Sequence, residues 1–326
     1  MRQPFSSVFI LSLSLVLFAA PLTAQAASIE SGFPADDHPA RPVLAEPHAP
    51  GDPLPRITCA DGRLAYIYTE GLSAPDGLAR SPLDGAIYVA EETAGQVDRL
   101  ADDGSKTVVA SGLSSPEGIA FDPGGNLYGV EDAQNGRVLQ VAPDGTQRVL
   151  ATGRDAPEGV VYATDGHVYI TESNVQFTPN PLQYRTRVTR IGLDGSLQVI
   201  LSLNFFWSYS GLIQGADGYL YANNEASGVG TNDSTIRIDP RTGRRLGTLH
   251  GLVDPEGLRF AANGRLPLYI AQEDIGSGFG QITQVNPDLT TSPYCTGFYN
   301  IEDVLTTTAG PIYITEDTTG YVVILR

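Results

Sequence analysis

The sequence predicts an all-β protein: a six-bladed β-propeller in which an N-terminal strand completes the last blade. Three observations favour this fold. A short motif recurs six times at intervals of about 40 to 50 residues, a strand with a tyrosine in register follows every copy, and no segment has the 3.6-residue apolar period of a helix. Repeats of this length that contain four short alternating strands are typical of propeller blades.

The repeated motif is a Pro-acid-Gly triplet that opens an apolar strand. Its copies, two of them degenerate, are Pro75-Asp76-Gly77, Pro116-Glu117-Gly118, Pro157-Glu158-Gly159, Tyr209-Ser210-Gly211, Pro255-Glu256-Gly257 and Ile301-Glu302-Asp303. The tyrosines in register are Tyr88, Tyr128, Tyr169, Tyr221, Tyr269 and Tyr313. The sixth copy ends at Arg326 after only three strands, and the segment from Leu64 to Thr69 is predicted to supply the fourth. This closure leaves no exposed sheet edge.

The N-terminal region predicts an exported protein. Residues 1–26 combine Arg2, an apolar run over residues 8–20 and the sequence Ala24-Gln25-Ala26, which is the pattern of a cleavable signal peptide. The apolar run is shorter than the roughly 20 residues that span a bilayer, so a membrane anchor is the weaker interpretation. Residues 27–55 contain seven prolines without apolar periodicity and predict an extended linker. The propeller is predicted over residues 56–326, and the location is secreted or periplasmic.

The composition limits the partners. A net charge of −17 disfavours binding to nucleic acid or to anionic membranes, so we expect a small-molecule substrate or ligand. The only cysteines are Cys59 and Cys295. An oxidising compartment permits a disulfide between them, but the repeat register places them about a strand's length apart, whereas a bridge needs Cα atoms within about 7 Å. The register therefore favours two unpaired thiols.

The triplets also predict a ring of acids at one mouth of the central channel. One set of side chains is the middle residue of each triplet: Asp76, Glu117, Glu158, Ser210, Glu256 and Glu302. A second set lies three positions after each tyrosine: Glu91, Glu131, Glu172, Asn224, Gln272 and Glu316. Because the two strands are antiparallel, both sets are expected at the same mouth, where like charges repel unless protons or cations neutralise them.

Hard oxygen ligands without His or Cys favour Ca²⁺ over Mg²⁺ or Mn²⁺. The predicted metal ligands are Asp76, Glu117, Glu158, Asn224, Glu256 and Glu302. The alternative is that these glutamates cap turns or accept hydrogen bonds from neighbouring backbone amides. None of the four histidines falls at this mouth, so a general base would have to be a carboxylate whose neighbours raise its pKa.

Long loops at the same mouth predict a substrate pocket. An insertion over residues 173–187 carries aromatic residues, and a second aromatic segment, residues 204–209, leads into blade 4. Ligands of propellers commonly bind to such loops. The predicted pocket residues are Phe177, Tyr184, Trp207, Tyr209 and Ser210. Alternatively, some of these aromatics pack beneath the loops and hold them in place.

The triplets, the glycine turns and the tyrosine strands resemble the six-bladed calcium-dependent propellers of the gluconolactonase and senescence-marker-protein family and related NHL-repeat proteins. That resemblance implies metal ligands directly before the triplet glycine, which are Asp76, Glu158 and Glu256 here, and a carboxylate base at Glu256, with Glu158 as a second catalytic carboxylate. Ser210 stands where the family has Asn, a role that Asn224 would take over. The sequence Tyr169-Ile-Thr-Glu172 also resembles streptogramin lyases, which have seven blades and a catalytic histidine.

These patterns lead to three hypotheses for function. The first is an exported, metal-dependent hydrolase of a lactone or related ester that acts at the acidic channel mouth. The second is a non-catalytic propeller that binds a ligand or a protein. The third is an enzyme similar to the streptogramin lyases.

Overall fold

The computed structural model describes residues 51–176, 183–205, 208–225, 233–275, 277–308 and 310–326. Every regular element within these ranges is a β-strand. The same ranges contain no helix long and apolar enough to cross a membrane. The chain begins with two short strands, β1 (Thr58–Cys59) and β2 (Ala65–Thr69), and then builds six sheets around a channel.

The blades follow in chain order. Blade 1 comprises β3 (Pro75–Arg80), β4 (Ile87–Glu91), β5 (Gln96–Leu100) and β6 (Lys106–Ser111). Blade 2 comprises β7 (Pro116–Phe121), β8 (Leu127–Glu131), β9 (Gln134–Val141) and β10 (Gln147–Asp155). Blade 3 comprises β11 (Pro157–Tyr162), β12 (Val168–Gln176), β13 (Gln183–Ile191) and β14 (Leu197–Phe205).

Blade 4 comprises β15 (Ser208–Gln214), β16 (Leu220–Glu225), β17 (Ser234–Ile238) and β18 (Arg245–His250). Blade 5 comprises β19 (Pro255–Phe260), β20 (Leu268–Gln272), β21 (Gly280–Val285) and β22 (Thr291–Phe298). Blade 6 comprises β23 (Ile301–Thr306), β24 (Ile312–Glu316) and β25 (Tyr321–Leu325). Each blade is an antiparallel sheet, and the triplets open the innermost strands, as predicted.

The ring closes through the N-terminal segment. Strand β2 pairs antiparallel with β25, with Ala65 opposite Leu325, so the predicted completion of blade 6 is confirmed. Strand β1, which the sequence analysis did not predict, adds a fifth strand to blade 5 by pairing with β22. Two consecutive blades are therefore fastened to the same short N-terminal segment.

The two cysteines form a disulfide with a Cα–Cα distance of 4.0 Å, and the prediction of unpaired thiols is wrong. Cys59 lies on β1 directly opposite Cys295 on β22. The repeat register had placed the two cysteines about a strand's length apart because it gave no sign of β1. Leu54, 2% exposed, already packs into the hydrophobic core, so ordered chain begins before the predicted linker boundary at residue 55.

The blades pack through apolar side chains on both faces of each sheet. Ala90 and Val97 of blade 1 share a buried cluster with Ile119 and Leu127 of blade 2. The repeated tyrosines contribute to these contacts between blades. The ring of Tyr88, for example, meets that of Phe121 edge-to-face at 4.9 Å. Burial on both faces explains why the second strands are almost continuously apolar.

The triplet glycines allow the innermost strands to approach closely around the channel. A Cβ atom on Gly159 would lie 2.7 Å from the carbonyl oxygen of Ser210 and 2.7 Å from the backbone nitrogen of Leu212 in the next blade. A Cβ atom on Gly211 would lie 2.6 Å from the carbonyl oxygen of Glu256. No other residue type fits at this spacing. In the four complete Pro-acid-Gly triplets the glycine therefore places the preceding acid at the channel wall.

Candidate functional site

The acids of the triplets lie on the channel wall at one mouth. They occupy the second positions of their strands and are half-buried: Asp76, Glu117, Glu158, Glu256 and Glu302. The six innermost strands run in the same direction, so their first turns share one end of the channel. Of these five predicted residues, Asp76 and Glu158 lie close enough to Glu117 for their charges to act on it.

Glu117 is the centre of an acidic cluster. Its side chain is half-buried. Burial raises its pKa well above the ordinary value, and the charges of Asp132, Asp76, Glu158 and Glu92, in that order, raise it further. Such a carboxyl either holds a proton near neutral pH or requires a cation beside it. The structure therefore brings together three of the predicted ring acids and two acids that were not predicted.

Glu92 and Asp132 belong to a third repeated position, one residue after each member of the second set. The backbone N–H groups at this position donate to the carbonyl of the residue that precedes the triplet. The pairs are Glu92 with Ala74, Asp132 with Ser115, Ser173 with Ala156, Glu273 with Asp254 and Asp317 with Asn300. All five carbonyl residues have positive φ. Strand alternation is the signal that could have identified this set, since consecutive residues point to opposite faces.

The glutamates of the second set are structural, which corrects their assignment to the ring. Arg56 holds Glu316 through two hydrogen bonds of 2.8 and 2.6 Å, and Lys106 lies 2.7 Å from Glu91. Glu131 is paired with Arg137, and Glu172 with Arg154 and Arg187. Each of these glutamates also accepts a backbone N–H from the loop before its triplet, at Ser73, Ser114, Asp155 and Tyr299.

The ionisation of this set follows from its partners. Burial alone would raise the pKa of Glu131, but hydrogen bonds from Arg137 and from the backbone of Ser114 outweigh it and lower the pKa. Gln272 serves the same loop in blade 5, where its Nε2 donates to the Val253 carbonyl at 2.8 Å. Backbone amides and basic side chains therefore bind the second set, a role that the sequence analysis had considered only for the triplet glutamates.

Blade 1 carries an additional buried acid, Asp98, beside Glu91. The Nε2 of Gln96 lies 3.0 Å from Glu91 and 3.2 Å from Asp98, and Lys106 is 3.6 Å from Asp98. Burial, a hydrogen bond with Glu91 and the charge of Glu91 raise the pKa of Asp98 to about 6. Lys106 thus pairs with both carboxyls, and Asp98 binds a proton at mildly acidic pH.

Among the described residues, none of the predicted pocket side chains is placed at the mouth. Tyr209 is 1% exposed and packs in the core of blades 3 and 4, and Ser210 is buried with its Oγ donating to the Pro255 carbonyl at 2.6 Å. Both are therefore corrected from substrate contacts to packing residues. Phe177 and Trp207 lie outside the described residues. Tyr184 lies on β13 opposite Phe205, and its side chain is outside the description.

Blade 4 contributes a polar contact to the acidic mouth instead. The Oγ of Ser208 lies 3.1 Å from Glu158 Oε1 and 2.8 Å from the Oγ of Ser173. The backbone N–H of Tyr209 donates to the same Ser173 Oγ at 3.0 Å. Asn224, the predicted amide ligand, is buried on β16 opposite Tyr209. The hydroxyls of Ser173 and Ser208 thus position Glu158.

The donor chemistry of this mouth fits a hard divalent cation, because the groups whose charges act on Glu117 are all carboxylates. Their spacing is wider than a closed metal cage. Among the described residues, no three Asp, Glu, His or Cys side chains are arranged to hold an ion. Water molecules complete the shell of many Ca²⁺ and Mg²⁺ sites, and a cation here would need them.

Solved structures share this fold. A gluconolactonase from Xanthomonas campestris matches with a TM-score of 0.65 and 18% identity, over 84% of this chain and 94% of that one. The chain has a gluconolactonase-like six-bladed fold. A virginiamycin B lyase from Staphylococcus aureus matches at a TM-score of 0.55 and 14% identity, over 82% of this chain and 99% of that one.

A protein described as an auxiliary nutrient binding protein, from Bacteroides thetaiotaomicron, matches at a TM-score of 0.62 and 12% identity, over 78% of this chain and 69% of that one. No family model and no curated protein matches the chain in sequence. Enzymes and a binding protein thus share this architecture, which by itself does not decide between them.

Proposed function

We propose that this protein is a hydrolase of lactones or related esters that acts at the acidic mouth of the channel. The observation that carries the proposal is the cluster around Glu117, whose pKa is raised by burial and by Asp132, Asp76, Glu158 and Glu92. A structural turn-capping acid has its charge compensated, as Glu316 does by Arg56. Carboxyls whose pKa is raised by neighbours are suited to proton transfer near neutral pH. The shared fold with a gluconolactonase supports the substrate class.

Asp76, Glu117 and Glu158 are the residues proposed to hold a divalent cation, Ca²⁺ in the first place, through bridging water molecules, since no three described acids are arranged to bind an ion directly. When bound, the cation would polarise the substrate carbonyl. Glu256, on the innermost strand of blade 5, is proposed to take a proton from the attacking water, and Glu302 extends the negative wall beside it. Ser208 and Ser173 keep Glu158 in place through their hydroxyls.

We also propose that the protein is exported. The signal-like pattern of residues 1–26 supports this location. The Cys59–Cys295 disulfide supports it independently, because structural disulfides persist in oxidising compartments. Mass spectrometry of the protein purified from culture medium or periplasm would test the location, and recovery of only the uncleaved chain from the cytoplasm would contradict it.

The activity is tested with a panel of sugar lactones, aliphatic lactones and aryl esters, each assayed with and without EDTA. The expected result is hydrolysis that EDTA abolishes and that one divalent metal restores. Glu117→Gln should lose activity by at least about tenfold, which corresponds to one charge-assisted interaction at the reacting centre. Asp144→Asn, which removes an exposed acid in the turn between β9 and β10, is the matched control and should keep full activity.

The alternatives give different outcomes. A protein that turns over nothing in the panel, but whose melting temperature rises with one of these compounds, would be a binding propeller. Turnover that continues unchanged in EDTA and in Glu117→Gln would contradict the proposed site. Ring opening of a cyclic depsipeptide by elimination, without uptake of water, would favour the lyase hypothesis.

A further inference from the structure

The other end of the channel holds a cavity that the proposed function does not use. Its volume is about 460 Å³, within the range of small-molecule sites. The lining residues come from the last turns of the innermost strands, among them Arg80, Phe121, Tyr162 and Leu305. The triplets open these same strands. The cavity therefore lies at the mouth opposite to the acidic cluster.

Most of the cavity wall is apolar. Ile119 and Leu305 form buried parts of it, and Phe121, Val161 and Tyr162 are half-buried along it. The wall is drawn from blades 1, 2, 3, 5 and 6, so its shape depends on the closed ring rather than on a loop. An apolar ligand body of two fused rings or a chain of about ten carbons matches a volume of this size.

Two arginines give the cavity a positive charge in a protein of net charge −17. Within the described part of the chain, Arg80 makes no hydrogen bond and no ion pair, and it is exposed. Arg259 uses Nη2 and Nε on the carbonyls of Leu78 and Val304 and on Asp303. Its Nη1 makes none of these contacts and the side chain is 25% exposed.

The one acid in the wall, Asp122, forms its hydrogen bonds within its own turn and with the adjacent strand. Its carboxylate accepts from the backbone and side-chain nitrogens of Asn126 at 2.9 and 2.7 Å and from the hydroxyl of Tyr128 at 3.2 Å. The guanidinium of Arg80 therefore remains the free charged donor at the rim. A carboxylate or sulfonate is the group that it would bind most strongly, since the hydrogen bonds are charge-assisted.

We propose that this cavity is a second binding site, for a small monoanion with an apolar body, such as a medium-chain or aromatic acid. The body would fill the wall of Ile119, Phe121 and Val161, and the anionic group would meet Arg80, with Arg259 at the inner end. This site is separate from the acidic mouth and is independent of any activity there.

Two fluorescent probes with the same body test the proposal. 8-Anilinonaphthalene-1-sulfonate carries the anionic group, and N-phenyl-1-naphthylamine lacks it. Arg80→Gln should weaken binding of the sulfonate about tenfold, as expected for one lost charge-assisted contact, and should change the affinity for the neutral probe by less than about twofold. Arg241→Gln, at a side chain that is 85% exposed, removes the same charge elsewhere and should change neither.

Two further measurements locate the site. Ala120→Leu narrows the cavity at a lining residue and should weaken both probes, and decanoate should displace both from the wild type. The triple variant Asp76→Asn/Glu117→Gln/Glu158→Gln should bind them as the wild type does. Sulfonate binding that is unchanged in Arg80→Gln, or equal loss in Arg80→Gln and Arg241→Gln, would overturn the proposal, as would unchanged binding of both probes in Ala120→Leu.

Discussion

The disulfide between Cys59 and Cys295 should be a large contributor to stability, because it closes a loop of 236 residues. In the chain-entropy description, a cross-link over that separation lowers the entropy of the unfolded chain by an amount equivalent to about 5 kcal/mol at room temperature. For a domain of this size, 1 kcal/mol shifts the melting temperature by about 2 °C. The double variant Cys59→Ala/Cys295→Ala should therefore melt roughly 10 °C below the wild type.

The native contacts that remain make this a clean perturbation. Leu54 and Ile57 stay buried and Arg56 still binds Glu316, so β1 keeps its place in the folded variant. The assay is differential scanning calorimetry at one scan rate, with and without a reductant. Reductant should lower the melting temperature of the wild type to that of the variant and should leave the variant unchanged. A variant that melts within about 2 °C of the oxidised wild type would refute the reasoning.

Three further predictions concern the channel acids, the triplet glycines and the buried acid pair. Ca²⁺ at about one hundred times its Kd adds about 2.7 kcal/mol to the free energy of unfolding and should raise the melting temperature of the wild type by a few degrees. Glu117→Gln should melt at a higher temperature than the wild type in EDTA, and its melting temperature should respond less to Ca²⁺. Identical melting temperatures of the wild type in EDTA and in Ca²⁺ would contradict the cation site. Gly159→Ala should lower the free energy of unfolding in urea by about 1–3 kcal/mol, because the new Cβ overlaps the next blade. Gly247→Ala, whose Cβ would meet nothing within 4 Å, should leave that free energy unchanged. Equal effects of the two substitutions would refute the packing argument. Because the folded-state pKa of Asp98 is raised to about 6, its contribution to stability is full below about pH 4 and is lost as the pH rises through 6. The melting temperature of Asp98→Asn should therefore rise relative to that of the wild type across that window, and a constant difference between the two proteins would contradict the argument.

Much of the fold followed from local patterns. The triplets marked the start of each innermost strand, and the missing strand of blade 6 identified the N-terminal closure. The same patterns predicted the positions of Asp76, Glu117 and Glu158, since each of these acids directly precedes a glycine that must pack against the next blade. These features repeat along the chain, and a repeat is visible without knowledge of contacts.

The assignment of the second set failed for a physical reason. In the sequence, a glutamate three positions after a tyrosine has the same pattern whether it faces the channel or an arginine or lysine side chain. The basic partner is distant in sequence. Arg56 and Glu316 are separated by 260 residues, and Arg56 lies outside the repeat. The prediction that Tyr209 contacts substrate was wrong for a similar reason, because only the packing of blades 3 and 4 shows that its ring enters the core.

The sequence by itself determined the all-β repeat, the number of blades, the closure and the chemical type of the channel acids, because each depends on residues close together along the chain. Tertiary structure alone decided which acids have compensated charge, where the cysteines meet and where the cavity at the far mouth lies. These depend on contacts between blades, and the distances between them are set by the closed ring. Glu117 illustrates the division: a triplet identifies it in the sequence, but its pKa is raised by burial and by the charges of Asp132, Asp76, Glu158 and Glu92, which the packing of blades 1, 2 and 3 brings near.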